Sequence, residues 1–155
     1  MANVKFPRKE FEKALGKLIS QEIEEKIHLF GTPIESISNE EIELEIFPNR
    51  PDLLSMQGFL RSFKAFLGDK KSLGLRKYPL KKPEKDFKIK IEPSVKEIRP
   101  YTVCAIVKRL KLTDESIKEI IELQEKLHNT LGRKRKKVAI GIYPLEKIKL
   151  PITFM

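Results

Sequence analysis

The chain is 155 residues long, 40% apolar and 35% charged, with a formal net charge of +10. That apolar content supports a packed core and excludes a disordered chain, and the length holds one good-sized domain or two small ones. No apolar run approaches the ~20 residues of a membrane-spanning helix, and the first ten residues lack the layout of a signal peptide.

The single cysteine, Cys104, excludes an internal disulfide, and its neighbours Val103, Ala105 and Ile106 place it in a buried strand. A soluble, cytoplasmic protein is the expectation. The charge is unevenly placed: residues 1–69 hold 9 Lys/Arg against 12 Asp/Glu, and residues 70–155 hold 23 against 10. Such asymmetry points to a polyanion partner for the second part. The competing explanation is a Lys- and Glu-rich surface of the kind found in heat-adapted proteins.

In chain order, residues 3–6 read as a short strand, and Pro7 suits the first turn of a helix. Phe11, Leu15 and Leu18 give that helix an apolar side, and Gly16 ends or bends it. Ser20 caps a second helix with Glu22, Glu24 and Glu25 in its first turn. Ile23, Ile27 and Phe30 form its inner stripe, and Gly31 stops it. Residues 34–37 and 41–47 make a hairpin turning at Ser38, Asn39 and Glu40. Its second strand alternates strictly, Ile42, Leu44 and Ile46 against Glu41, Glu43 and Glu45.

The pattern breaks at Asn49-Arg50-Pro51-Asp52, and the period then becomes helical through Leu53, Met56, Leu60, Phe63 and Leu67, with Phe59 and Phe66 beside them. Pro51 presets the helical φ, Asn49 or Asp52 can accept from the first free N–H groups, and Arg50 can pair with Asp52 or a strand carboxylate. Gly58 inside the helix costs about 1 kcal/mol, which predicts a close packing contact there. These corner residues read as structural. The order strand, helix, helix, strand, strand, helix also resembles a winged-helix module, but the hairpin is acidic and presents no basic recognition face.

Residues 69–85 are rich in lysine and proline and lack periodicity, so they read as a linker. Phe87, Ile89 and Ile91 then alternate as a strand, and Pro93 and Pro100 bracket a loop. Residues 101–110 read as a strand covered on both faces. Thr113 caps a helix with Asp114 and Glu115 in its first turn, Gly132 closes it, and Ile117, Ile120, Ile121, Leu127 and Leu131 line its inner face. A strand over 138–143 follows the basic run, then a turn, then a strand from Leu150. That strand stops at Met155 without a turn or polar tail, so its domain is expected to be incomplete and the chain part of a longer polypeptide. The fold class expected is α+β: a small N-terminal module over 1–68, then an incomplete mixed α/β domain over 86–155.

There is no Gly-rich phosphate loop, no paired cysteines and no nucleophile elbow. His28 and His128 lie near helix C-termini, where positive charge is welcome, and read as structural. The carboxylates Glu41, Glu43 and Glu45 read as a solvated strand face rather than a cation site. No catalytic residue and no metal ligand can be assembled from these parts. The functional candidate is the basic run Arg133, Lys134, Arg135, Lys136 and Lys137, which could grip nucleic-acid phosphates in a salt-sensitive way. Against it stands a solvated turn that keeps a strand edge soluble, since no aromatic is interleaved to stack on bases.

Three stretches carry a family resemblance. Residues 46–63, I-F-P-N-R-P-D-L-L-S-M-Q-G-F-L-R-S-F, resemble the motif of the phenylalanyl-tRNA synthetase β subunit, with its N-R-P-D corner, L-S, Gly and Arg. Residues 128–143, H-N-T-L-G-R-K-R-K-K-V-A-I-G-I-Y, are similar to the archaeal and eukaryotic branch, and R-P-Y-T-V-C-A-I-V at 99–107 fits it too. A departure occurs at Tyr143-Pro144-Leu145, where the family leads one to look for an Asp.

The resemblance implies a longer subunit in a tetramer of two α and two β chains, which attaches phenylalanine to tRNA using ATP and Mg2+, with the synthetic site on the α subunit. It implies an editing domain that hydrolyses tRNA mischarged with tyrosine, beginning at residue 86 and drawing its pocket mainly from beyond Met155. No catalytic residue or ATP or magnesium ligand is carried over, and this portion alone should be inactive. No membrane and no DNA enter that reading. The alternative is a stand-alone nucleic-acid-binding protein of two small domains.

Overall fold

The computed structural model describes residues 2–74, 77–82 and 87–155; of the expected linker, residues 75, 76 and 83–85 lie outside the described residues. The chain divides into two compact units, residues 1–75 with 113–140, and residues 76–112 with 141–155.

The first unit contains β1 (Ala2–Pro7), α1 (Arg8–Leu15), α2 (Gln21–Leu29), β2 (Ile34–Ile37), β3 (Glu41–Ile46), α3 (Met56–Phe66) and α4 (Asp114–Asn129). Its sheet is antiparallel in the order β1-β3-β2. The alternation along β3 sets the faces: Ile42, Leu44 and Ile46 are buried, and opposite them in β1 stand Phe6, Val4 and Ala2. The acids of β3 face the other way, where Lys5 Nζ lies 2.5 Å from Glu41 and 3.6 Å from Glu43.

Helices α1, α2 and α3 cover the apolar face with Phe11, Leu15, Ile23, Ile27, Phe59, Leu60 and Phe63. Phenylalanine rings cluster around Phe59. Phe59 lies 5.9, 5.8, 5.6 and 5.6 Å, centroid to centroid, from Phe6, Phe11, Phe30 and Phe63, spacings at which tilted and edge-on rings attract. Burying each such ring contributes on the order of 2–3 kcal/mol. Gly16 ends α1 in the left-handed region, and Ser20 stands at the N-cap of α2 without a side-chain capping bond. Leu18, expected on the inner side, is 75% exposed, because the chain has already left the helix there.

Helix α4 is held at its start by a reciprocal capping box between Thr113 and Ser116. Leu123 and Leu127 pack against the unit's core, while Ile117, Ile121 and Leu131, expected to face inward, are exposed. The helix ends at Asn129, short of Gly132.

The second unit pairs β4 (Ile89–Ile91) in parallel with β5 (Ile152–Phe154), and Val95 is its one buried apolar residue among the described residues. Strands and helices coexist in separate segments, which makes the chain α+β. The strands expected over 101–110 and 138–143 are absent among the described residues. The composition there favours burial, but a strand exists only where a neighbour takes its hydrogen bonds, and no ladder reaches either segment. Cys104, expected to be buried, is exposed for the same reason.

Candidate nucleic-acid interface

The basic run leaves the C-terminus of α4 in an unusual conformation. Arg133, Lys134 and Arg135 are consecutive residues with φ of 50°, 55° and 63°. Left-handed backbone costs a residue with a Cβ about 1–2 kcal/mol, so three basic residues stand where glycine would be the easier choice. Strain of this kind persists only where the surroundings over-determine it.

Those surroundings are specific. Gly132 N–H donates to Leu127 O (2.8 Å), Arg135 N–H to His128 O (3.1 Å), and Lys137 N–H to Gly132 O (2.9 Å). Gly132 is required where it stands: a Cβ there would meet the backbone oxygens of His128 and Val138, each at 2.7 Å. Beyond the turn, the chain is pinned to α4 by two side chains. Ile140 N–H donates to His128 Nε2 at 2.8 Å, and Gln124 Nε2 donates to Ile140 O at 2.5 Å. His128 is 2% exposed. Its Nε2 accepts a hydrogen bond, so the ring proton belongs on Nδ1, which lies 3.4 Å from Glu125 Oε1.

Glu125 also accepts from the Arg135 guanidinium. Partial desolvation pushes the Glu125 carboxyl up, but the hydrogen bond and charge of Arg135, joined by His128, outweigh it and hold the group below the ordinary carboxylate range. All five basic side chains of the turn are exposed. The result is a preorganised cationic turn at a helix C-terminus. Sequence reading located the charges but not Glu125 or the fastening role of His128; only the spacing of three that lets Glu125 and His128 meet on one helix face was visible.

The corner after β3 is built differently. Asn49 sits exposed in a turn closed by Arg50 N–H to Phe47 O at 3.0 Å. Pro51 opens a 3-10 turn, Pro51–Leu53. Neither Asn49 nor Asp52 caps the helix. That place belongs to Ser55, whose hydroxyl accepts from Gly58 N–H at 3.1 Å. Asp52 instead accepts from Arg50 Nε (3.0 Å) and Nη2 (2.9 Å), and the same guanidinium lies 5.3 Å from the ring centre of Phe30. The corner therefore closes the phenylalanine core.

His28 is exposed at the end of α2. Among the described residues, no group of three or more His, Cys, Asp or Glu side chains converges as a metal site would require. No helix of the described residues is long and apolar enough to cross a membrane.

No protein-family model matches the chain. Individual proteins do. The phenylalanine–tRNA ligase β subunit of Archaeoglobus fulgidus is 41% identical over 129 residues, covering 83% of this chain and 23% of that protein. The Methanosphaera stadtmanae β subunit is 37% identical over 155 residues, covering 99% of this chain and 27% of its own length, and that of Sulfolobus acidocaldarius is 45% identical over 132 residues, covering 85% and 23%. The chain thus spans about a quarter of the curated relatives it matches. Among solved structures, an N-terminal fragment of the phenylalanyl-tRNA synthetase β subunit from Pyrococcus horikoshii superposes with a TM-score of 0.80 at 34% identity, covering 98% of this chain and 44% of that one. With relatives at 37–45% identity and a solved homologue that covers 98% of this chain, the chain belongs to the phenylalanine–tRNA ligase β-subunit family.

Proposed function

We propose that this chain serves as the N-terminal part of the β subunit of a cytoplasmic phenylalanine–tRNA ligase. In that reading residues 1–68 are a scaffold module, 69–85 a linker, and 86–155 the opening of a domain that hydrolyses tRNA mischarged with tyrosine. The whole enzyme, two α and two β subunits, charges tRNA with phenylalanine using ATP and Mg2+. This portion alone is inactive. The observation that carries the reading is the match over 98% of the chain to the N-terminal fragment of a β subunit.

Within that frame the basic turn at 133–137 is a contact for tRNA phosphates. Five exposed cations on a fixed backbone suit a phosphate chain, which is recognised by charge and position and not by base identity.

The experiment is a complementation assay. The chain alone, and the longer polypeptide that begins with it, are each combined with the α subunit and tested for phenylalanyl-tRNA formation and for deacylation of tyrosyl-tRNA. Activity confined to the longer polypeptide is the expected result. Tight tRNA or duplex-DNA binding by the chain alone, with no activity from the longer polypeptide, would favour a stand-alone binding protein instead.

A further inference from the structure

Five positive charges occupy the turn, and among the described residues Glu125 pairs with one of them, Arg135. Glu125 sits on α4 with one carboxylate oxygen shared between the Arg135 guanidinium and, at 3.4 Å, His128 Nδ1. The geometry points to Glu125 as a resident competitor: it holds Arg135 until a nucleic-acid phosphate takes the guanidinium, and it then falls back on His128. This rests on the proposal that the turn binds tRNA phosphates.

Both partners of the pair are accessible, with 53% of the Arg135 side chain and 45% of the Glu125 side chain exposed. A carboxylate and a phosphodiester carry the same charge and offer a guanidinium the same paired acceptors, so the exchange is close to balanced at Arg135 itself. What tips it is the rest of the turn. Arg133, Lys134, Lys136 and Lys137 add to the attraction for a chain of phosphates and add nothing for Glu125. A polyanion therefore displaces the carboxylate where a single phosphate does not.

The displaced carboxylate has somewhere to go. Ile140 N–H occupies His128 Nε2 at 2.8 Å, so Nδ1–H remains to donate to Glu125. The turn does not need the ion pair to keep its shape, because it is fastened by the backbone bonds of Gly132, Arg135 and Lys137. Displacement changes the Glu125–Arg135 ion pair and leaves the backbone of the turn in place.

The test uses the longer polypeptide that begins with this chain, combined with the α subunit, and an unmodified tRNA transcript, titrated across a series of KCl concentrations. Glu125→Gln should bind about threefold more tightly at low salt, as befits the loss of one exposed ion-pair competitor. Its plot of log affinity against log salt should steepen by close to one phosphate contact, ~0.7–0.9. The gain should vanish when Arg135→Gln is added. It should also be absent from Glu122→Gln, which removes the same charge one turn earlier, beside Lys126 at 3.8 Å. If Glu125→Gln loses helix content, Glu125→Asp, too short to reach Arg135, should give the same direction of change.

An equal gain in Glu122→Gln, or a gain that survives Arg135→Gln, means general charge removal and overturns the inference. Unchanged affinity in Glu125→Gln, with binding weakened by Arg133→Gln and Lys137→Gln, overturns the competitor while leaving the interface standing. If those two neutralisations also change nothing, the interface falls with it.

Discussion

The carbonyl oxygen of Asp52 lies against the α-carbon of Gly58, so near that a Cβ built there would stand 2.0 Å from it. Helix α3 begins by folding back over the 3-10 turn that precedes it, and a side chain at position 58 would block that approach. Gly58→Ala brings about 1 kcal/mol of helix propensity and loses about 3 kcal/mol to overpacking against backbone that cannot move aside. A net destabilisation of ~2 kcal/mol is expected in a urea melt. A neutral or stabilising Gly58→Ala would show that the two segments are not in contact.

Arg50 links that corner to the core by donating twice to Asp52 while covering Phe30. The pair is about a third exposed on each side, which keeps its contribution small, and the cation–π contact adds a similar small amount. Arg50→Ala should cost about 1 kcal/mol, and Arg50→Lys should recover little of it, because lysine cannot make the paired contact. Full recovery by lysine would reduce the pair to a point charge.

The same contact sets a pH dependence. The Arg50 hydrogen bonds hold the Asp52 carboxyl below its ordinary value of 3.8, overcoming the desolvation that pushes it up. A depressed carboxyl stabilises the fold above its unfolded value and loses that contribution as pH falls through the folded one. Thermal melts should therefore show a loss of stability below about pH 4, and the loss should be smaller in Asp52→Asn. An acid limb unchanged in Asp52→Asn would remove this carboxylate from the explanation.

Relieving the strain in the basic turn should move stability and tRNA binding in opposite directions. Lys134, with φ of 55°, would relax on replacement by glycine, for which this backbone is free of the side-chain clash. Lys134→Gly should gain about 1 kcal/mol in stability and weaken tRNA binding. A variant improved in both would mean that the charge at 134 faces no phosphate.

Most of the first unit was legible in the sequence because its signals are local and strong. The strict alternation of 41–46 set which face of β3 is buried, and Phe59, Leu60 and Phe63 declared the apolar side of α3. Gly58 announced a close contact without naming its partner. The cap of α3 was misplaced by several residues because Asn, Asp and Ser all suit that role, and only the 3-10 turn at Pro51 shows that Ser55 takes it. Residues 101–110 and 138–143 mark the limit: their apolar content says that something should cover them, but strand formation depends on a neighbour that periodicity cannot supply. Glu125 escaped notice because its importance comes from Arg135, which lies beyond a turn whose left-handed shape no composition announces.

The most direct measurement for the basic turn as a tRNA contact is the salt dependence of binding when Arg133, Arg135 and Lys137 are neutralised together. Each phosphate contact contributes ~0.7–0.9 to the slope of log affinity against log salt. The triple variant should bind tRNA more weakly, with a slope shallower by about two contacts. A slope identical to that of the unaltered protein would reduce the turn to a solvated corner with no phosphate contact.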